Sequence, residues 1–289
     1  MKKTILPLLL AAFIMLAMKA DKKAYQLYTV NGKSTTYAKM LKKALEADVI
    51  LFGELHNNPV CHWLQYELTS DLFEEKKDDL VLGAEMFERD GQLILDEYVS
   101  GKISTRSFET QARLWPNYET DYKPLVEFAK AKGLPFIATN IPRRYASIVF
   151  KGGFEALDSL GQHAKMFFPP LPVAYDPELP GYLAMLDMGG GMGGHASENF
   201  PKAQAIKDAT MAYFITQNLP DGKLFIHYHG TYHSNNFEGI MWYLNEYQPG
   251  LNIMTIASVE QDDINELEEE NEALADFILV IPASMTKTH

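Results

Sequence analysis

Along the chain, short apolar runs alternate with longer segments in which apolar residues recur every third or fourth position. Apolar runs bounded by polar or turn residues suit buried strands. They predict strands at Val49–Gly53, Leu80–Met86, Pro135–Thr139, Lys223–Tyr228, Asn252–Ala257 and Asp276–Ile281. The helical spacing between them predicts helices at Asn58–Glu75, Thr120–Lys132, Lys202–Gln217 and Phe237–Glu246. The first of these has a start signal, with Asn57 and Asn58 as caps and Pro59 just inside. Strands separated by helices of this length predict an α/β fold, a largely parallel sheet flanked by helices. Residues 150–200 break the rhythm with Pro169-Pro170, Pro172, Pro177, Pro180 and the glycine run from Gly189 to Gly194. This stretch is expected to be a helical Pro/Gly-rich excursion, read either as a surface insertion or as a binding loop.

The first twenty residues follow a different pattern. Lys2 and Lys3 precede an apolar stretch from Ile5 to Met18, too short for a comfortable membrane span, and Ala20 offers a small residue for cleavage. A signal peptide at 1–20 is therefore expected, followed by a single domain over 21–289 and export to the periplasm or cell envelope. No cysteine follows the apolar run, so a lipoprotein anchor is not supported. The formal charge is already −12, and loss of three lysines with the leader makes the remainder more acidic. Such a surface repels nucleic acid and anionic membranes. Cys61 is the only cysteine, which excludes an intrachain disulfide, a paired-cysteine metal knuckle and covalent haem attachment.

The polar residues fall where the predicted strands end. Glu54 and His56 follow the first strand. Glu85 lies near the end of the second, with Glu88 and Arg89 beyond. Asn140, Arg143 and Arg144 follow the third, and His227, His229 and His233 close the fourth. Ligands of open α/β sheets bind outside the carboxyl ends of strands, so parallel neighbours would gather these groups on one rim. Glu85 sits between Ala84 and Met86, where an unpaired charge is costly, and its expected partner is Arg143 or a histidine. His62 and Tyr66 share a helix face and read as packing residues. Histidines with carboxylates can hold a divalent metal, or pair as a general base with its orienting group. The usual signatures of zinc peptidases, serine hydrolases, nucleotide phosphate loops and dinucleotide folds do not occur.

Gly53-Glu54-Leu55-His56-Asn57-Asn58-Pro59 with His62 resembles the opening motif of the ChaN-like haem-binding uptake family, in a superfamily with Tiki/TraB proteins and erythromycin esterases. The resemblance continues through Gly83-Ala84-Glu85-Met86-Phe87, Trp115-Pro116, Ala138-Thr139-Asn140-Ile141-Pro142-Arg143, Met192-Gly193-Gly194-His195 and Ala203 to Ala212, covering residues 45–245. It implies haem binding linked to iron acquisition, a homodimer enclosing haem, an envelope haem-transport partner, and a tyrosine axial ligand. Tyrosine is a hard oxygen donor suited to ferric iron. Tyr175 and Tyr182 are the candidate ligands, with Met185, Met188 and Arg143 as further haem contacts. In the related esterases the equivalent polar residues form a hydrolytic site. Carried over by position, these are Glu54, His56, Glu85 and either His229 or His233, which makes a hydrolase the alternative reading.

Overall fold

The computed structural model describes residues 22–190 and 198–289. The expected leader, Met192 and His195 lie outside the described residues. In chain order the elements are β1 (Gln26–Thr29), β2 (Ser34–Thr35), α1 (Tyr37–Ala44), β3 (Val49–Glu54), α2 (Pro59–Lys76), β4 (Leu80–Glu88), α3 (Gln92–Val99), α4 (Thr105–Gln111), α5 (Lys123–Lys132) and β5 (Phe136–Asn140). They continue with α6 (Arg143–Gly152), α7 (Pro180–Gly190), α8 (Asn199–Gln217), β6 (Leu224–Gly230), α9 (Ile240–Tyr247), β7 (Ile253–Gln261) and β8 (Phe277–Pro282). Each of the six strands expected from sequence is present. The short strands β1 and β2 and the helices α1, α3, α4, α6 and α7 are elements that the apolar pattern did not separate from loops.

One sheet runs β2-β1-β8-β7-β3-β6-β4-β5. From β8 to β5 all pairs are parallel, whereas β1 pairs antiparallel with both β2 and β8. Burial on both faces explains why the central strands read as continuous apolar runs rather than alternating ones. In β3, Ile50 and Phe52 join a core formed with α2 and α5, while Val49 and Leu51 join another formed with α8 and α9. A third cluster, including Tyr145, Val149, Leu157, Phe168 and Ile206, ties the start of the excursion to α6 and α8.

Helix boundaries follow local chemistry. Asn58 caps α2, its side chain accepting from Val60 N at 3.1 Å, with Pro59 in the first turn. The helix expected from Thr120 starts at Lys123, because Tyr118–Tyr122 forms a wider π turn. The helix expected from Phe237 starts at Ile240, because Asn236 and Phe237 both have positive φ.

At the outer edge, side chains take the place of a further strand beside β5. Gln92 Oε1 accepts from Ala138 N (2.7 Å), Gln92 Nε2 donates to Phe136 O (2.9 Å), and Arg89 Nη1 donates to Ala138 O (3.3 Å). Edge groups that would otherwise recruit another chain are thereby satisfied.

Candidate functional site

Three adjacent strands, β3, β6 and β4, end on one rim and deliver the polar residues. Glu54 is the last residue of β3 and pairs in register with Gly230, the last of β6. The β4–β5 pairing loses register between Ala84 and Glu88, and Glu85 falls in this irregularity, which re-aims its side chain. The Glu85 carboxylate accepts from Gly230 N at 2.8 Å. A Cβ on Gly230 would lie 2.7 Å from His56 Nε2, so only glycine lets the loop after β3 close over the end of β6.

Glu54 is fully buried and saturated with donors. His56 Nδ1 donates to it at 2.9 Å, the Tyr122 hydroxyl at 2.8 Å and Gln65 Nε2 at 2.6 Å. This arrangement fixes the His56 tautomer, leaving Nε2 as the free ring nitrogen. The His56 side chain is 41% exposed, so a solute can reach it. Burial lowers its pKa, but the Glu54 hydrogen bond and the charges of Glu85 and Glu54 outweigh this, and the net shift is upward. Trp115 packs edge-on against the ring.

His233 is buried between two carboxylates. Its Nε2 donates to Glu85 Oε1 at 3.2 Å and its Nδ1 to Asp208, and two donating nitrogens define an imidazolium. Burial opposes the charge, yet Glu85 and Asp208 together push the pKa up to about 10. In return Glu85 is held well below the usual carboxylate range: burial acts upward, and His233, His56 and the Gly230 amide overcome it. Asp208 also accepts from the Tyr182 hydroxyl at 2.8 Å, which connects the excursion helix α7 to the rim.

Of the two late histidines, His233 is the one that meets Glu85. His229 instead joins an internal chain. His227 Nε2 lies 2.7 Å from Thr139 Oγ1, the two Nδ1 atoms of His227 and His229 are 3.0 Å apart, and His229 Nε2 lies 2.8 Å from Ser234 Oγ. Burial pushes His227 down to about 3 and His229 well below its ordinary value, so both are neutral.

Arg143 is exposed at the start of α6 and is not the partner of Glu85, a role taken by His233. Met185 is buried in the core against α8. The Met188 side chain lies outside the described residues. Tyr182 is 4% exposed with its phenol given to Asp208. Tyr175 is half-buried, its ring against Phe154 and Tyr182, and among the described residues its hydroxyl makes no hydrogen bond. The divalent metal allowed for by the sequence finds no support. Among the described residues no group of three or more His, Cys, Asp or Glu side chains is arranged to hold one. The physical reason is that the imidazoles and carboxylates already satisfy each other.

Sequence reasoning missed Gln65, Asp121, Asn117, Tyr122 and Asp208. His62, read as packing, is buried in the network, donating from Nε2 to the His56 carbonyl at 3.1 Å and lying 3.6 Å from Asp121. The available signal was polar residues on the buried face of α2 and an aspartate among the alanines of α8. Asn140 ends β5 with a buried Oδ1 that has no partner among the described residues.

Residues 40–244 match the model of a family described as haem-binding uptake, Tiki superfamily, ChaN. The chain belongs to this family. Its structure is similar to that of ChaN of Campylobacter jejuni, described with cofacial haem binding, at a TM-score of 0.70 and 15% identity, covering 91% of this chain and 99% of that one. At this identity the likeness establishes the ChaN fold. An erythromycin esterase, EreC, in its open conformation is similar at a TM-score of 0.46 and 11% identity over 89% of this chain and 83% of that one. RRSP, a MARTX toxin effector domain of Vibrio vulnificus, is similar at 0.44 and 17% over 83% and 42%. No protein of curated function matches the sequence. Among the described residues no helix is long and apolar enough to cross a membrane.

Proposed function

We propose that this protein binds haem in the cell envelope as a step of iron acquisition, after removal of residues 1–20 and with residues 21–289 acting as one unit. The observation that carries this reading is the family match over residues 40–244, which takes in both the sheet rim and the excursion beside it. Ferric haem offers an iron that a hard phenolate oxygen holds well. Tyr175 fits that role: its hydroxyl is uncommitted among the described residues and its ring sits among aromatic neighbours. Tyr182 fits less well as placed, because Asp208 already takes its proton donor. We assign Tyr175 as the iron ligand and Tyr182 as the residue that fastens the segment to the rim. Mixing the purified protein with haemin should yield a ferric-haem absorption band, weakened and shifted by Tyr175→Phe. A wild-type protein with an unchanged haemin spectrum rejects haem binding, whereas a Tyr175→Phe spectrum identical to wild type rejects only the ligand.

A second reading has its own observation, the exposed His56 ring oriented by a buried carboxylate. That pair can take a proton from water attacking an ester, and the charge of Glu85, itself paired with His233, acts on the same ring. Turnover of an ester panel, abolished in a folded His56→Ala variant, is the expected result. Full turnover in that variant excludes the mechanism.

A further inference from the structure

Arg89, just beyond β4, is a half-buried cation in a chain of net charge −12, and Asp96 is the acid whose charge acts on it. Its guanidinium lies 4.3 Å over the Phe214 ring, and Nη1 donates to Gln92 Oε1 (2.5 Å) and Ala138 O (3.3 Å). Among the described residues it forms no ion pair. The next residue, Asp90, pairs instead with both Arg113 and Arg144. Guanidinium carries five N–H donors, and here those on Nε and Nη2 have no partner. Burial of this charge is costly and lowers the Arg89 pKa, with the Asp96 charge opposing it only in part.

Arg89 lines an open cavity of about 700 Å³ between the proline turn of the excursion and the last turns of α8. That volume falls in the range of small-molecule sites, about 300–1,000 Å³. Met166, Pro170 and Leu171 give it an apolar side, Gln162, Gln217 and Asn218 line it with amides, and Lys165 adds a second cation against one acid, Asp158. Neither Tyr175 nor Tyr182 lines it. One apolar side, a polar remainder and a planar cationic fork match an amphiphile whose apolar body ends in a carboxylate, which such a fork binds with two parallel hydrogen bonds.

We propose that this cavity binds an anionic amphiphile carrying one carboxylate, with Arg89 receiving the carboxylate, at a site separate from that of haem. Dodecanoate is the probe, titrated calorimetrically into the full chain at neutral pH. Saturable binding of one molecule per chain is expected, with dodecan-1-ol at least about tenfold weaker because it lacks the charge. Arg89→Gln should abolish the preference for the acid over the alcohol. Because Arg89 also bonds the β5 edge, Met166→Glu gives an independent check. Met166 lines the cavity and is 66% exposed, so this change repels the ligand while leaving the core intact. It should weaken dodecanoate about tenfold or more with an unchanged melting temperature. Failure of the wild-type chain to bind dodecanoate, equal affinity for the alcohol, wild-type binding by Met166→Glu, or displacement of dodecanoate by haemin would each overturn the proposal.

Discussion

A methyl group on Gly230 would come within 2.7 Å of His56 Nε2 and 3.6 Å of the Glu85 carboxylate. Gly230→Ala should therefore push the His56 ring off Glu54 and cost about 1–3 kcal/mol, the usual range for overpacking. Urea denaturation measures the loss, and NMR titration of His56 should show its pKa falling toward the ordinary histidine value. The buried imidazolium of His233 gives a separate prediction in pH. The folded chain keeps this proton to about pH 10, whereas the unfolded chain releases it near 6.5. Between those values the folded state binds more protons, so the contribution to stability is complete below pH 6.5 and fades as pH rises toward 10. Melting temperature should decline over that window in wild type, and the decline should be reduced in His233→Gln. That variant should also be markedly less stable at neutral pH, by about 3–5 kcal/mol, because Glu85 and Asp208 remain buried without their cation.

At the scale of elements, the outer strand β5 depends on a side chain rather than on another strand. Gln92 supplies both a donor and an acceptor to its backbone. Gln92→Leu should leave one N–H and one C=O of the edge unpaired, costing about 1–3 kcal/mol and favouring self-association. Denaturation curves and light scattering read these two effects independently. The start of α7 is held in a comparable way by three polar contacts. Gly181 N donates to Glu238 Oε2 at 2.7 Å, the Tyr232 hydroxyl donates to Gly181 O at 2.5 Å, and the Tyr182 hydroxyl reaches Asp208. The excursion is thus joined to the same carboxylate that holds His233, which places the proposed haem segment beside the rim.

For the whole molecule, the acidic balance and the absence of any disulfide leave the apolar layers on both sides of the sheet to hold the fold. The proposed haem complex has a consequence at this scale. If two subunits enclose haem, sizing chromatography should show the protein doubling in apparent mass on addition of haemin, and the shift should be lost in Tyr175→Phe. A mass that stays constant while the haem spectrum develops would separate binding from dimerisation.

The apolar runs alone determined the six central strands and the α/β class, because a strand covered on both faces is apolar over most of its length. The strand ends determined where chemistry would gather, since Glu54, His56 and Glu85 follow or interrupt those runs. Tertiary structure decided the pairings. His233 rather than His229 meets Glu85 because the chain turns at Gly230 and brings the later ring back over β4, while His229 points into the body toward His227. Asp208 and Tyr182 reach the rim from α8 and α7; an aspartate among alanines marks Asp208 as a buried polar group, but its local pattern does not name the partner it meets. Periodicity along a chain reports which faces are buried, and only the packed fold reports which buried groups face each other.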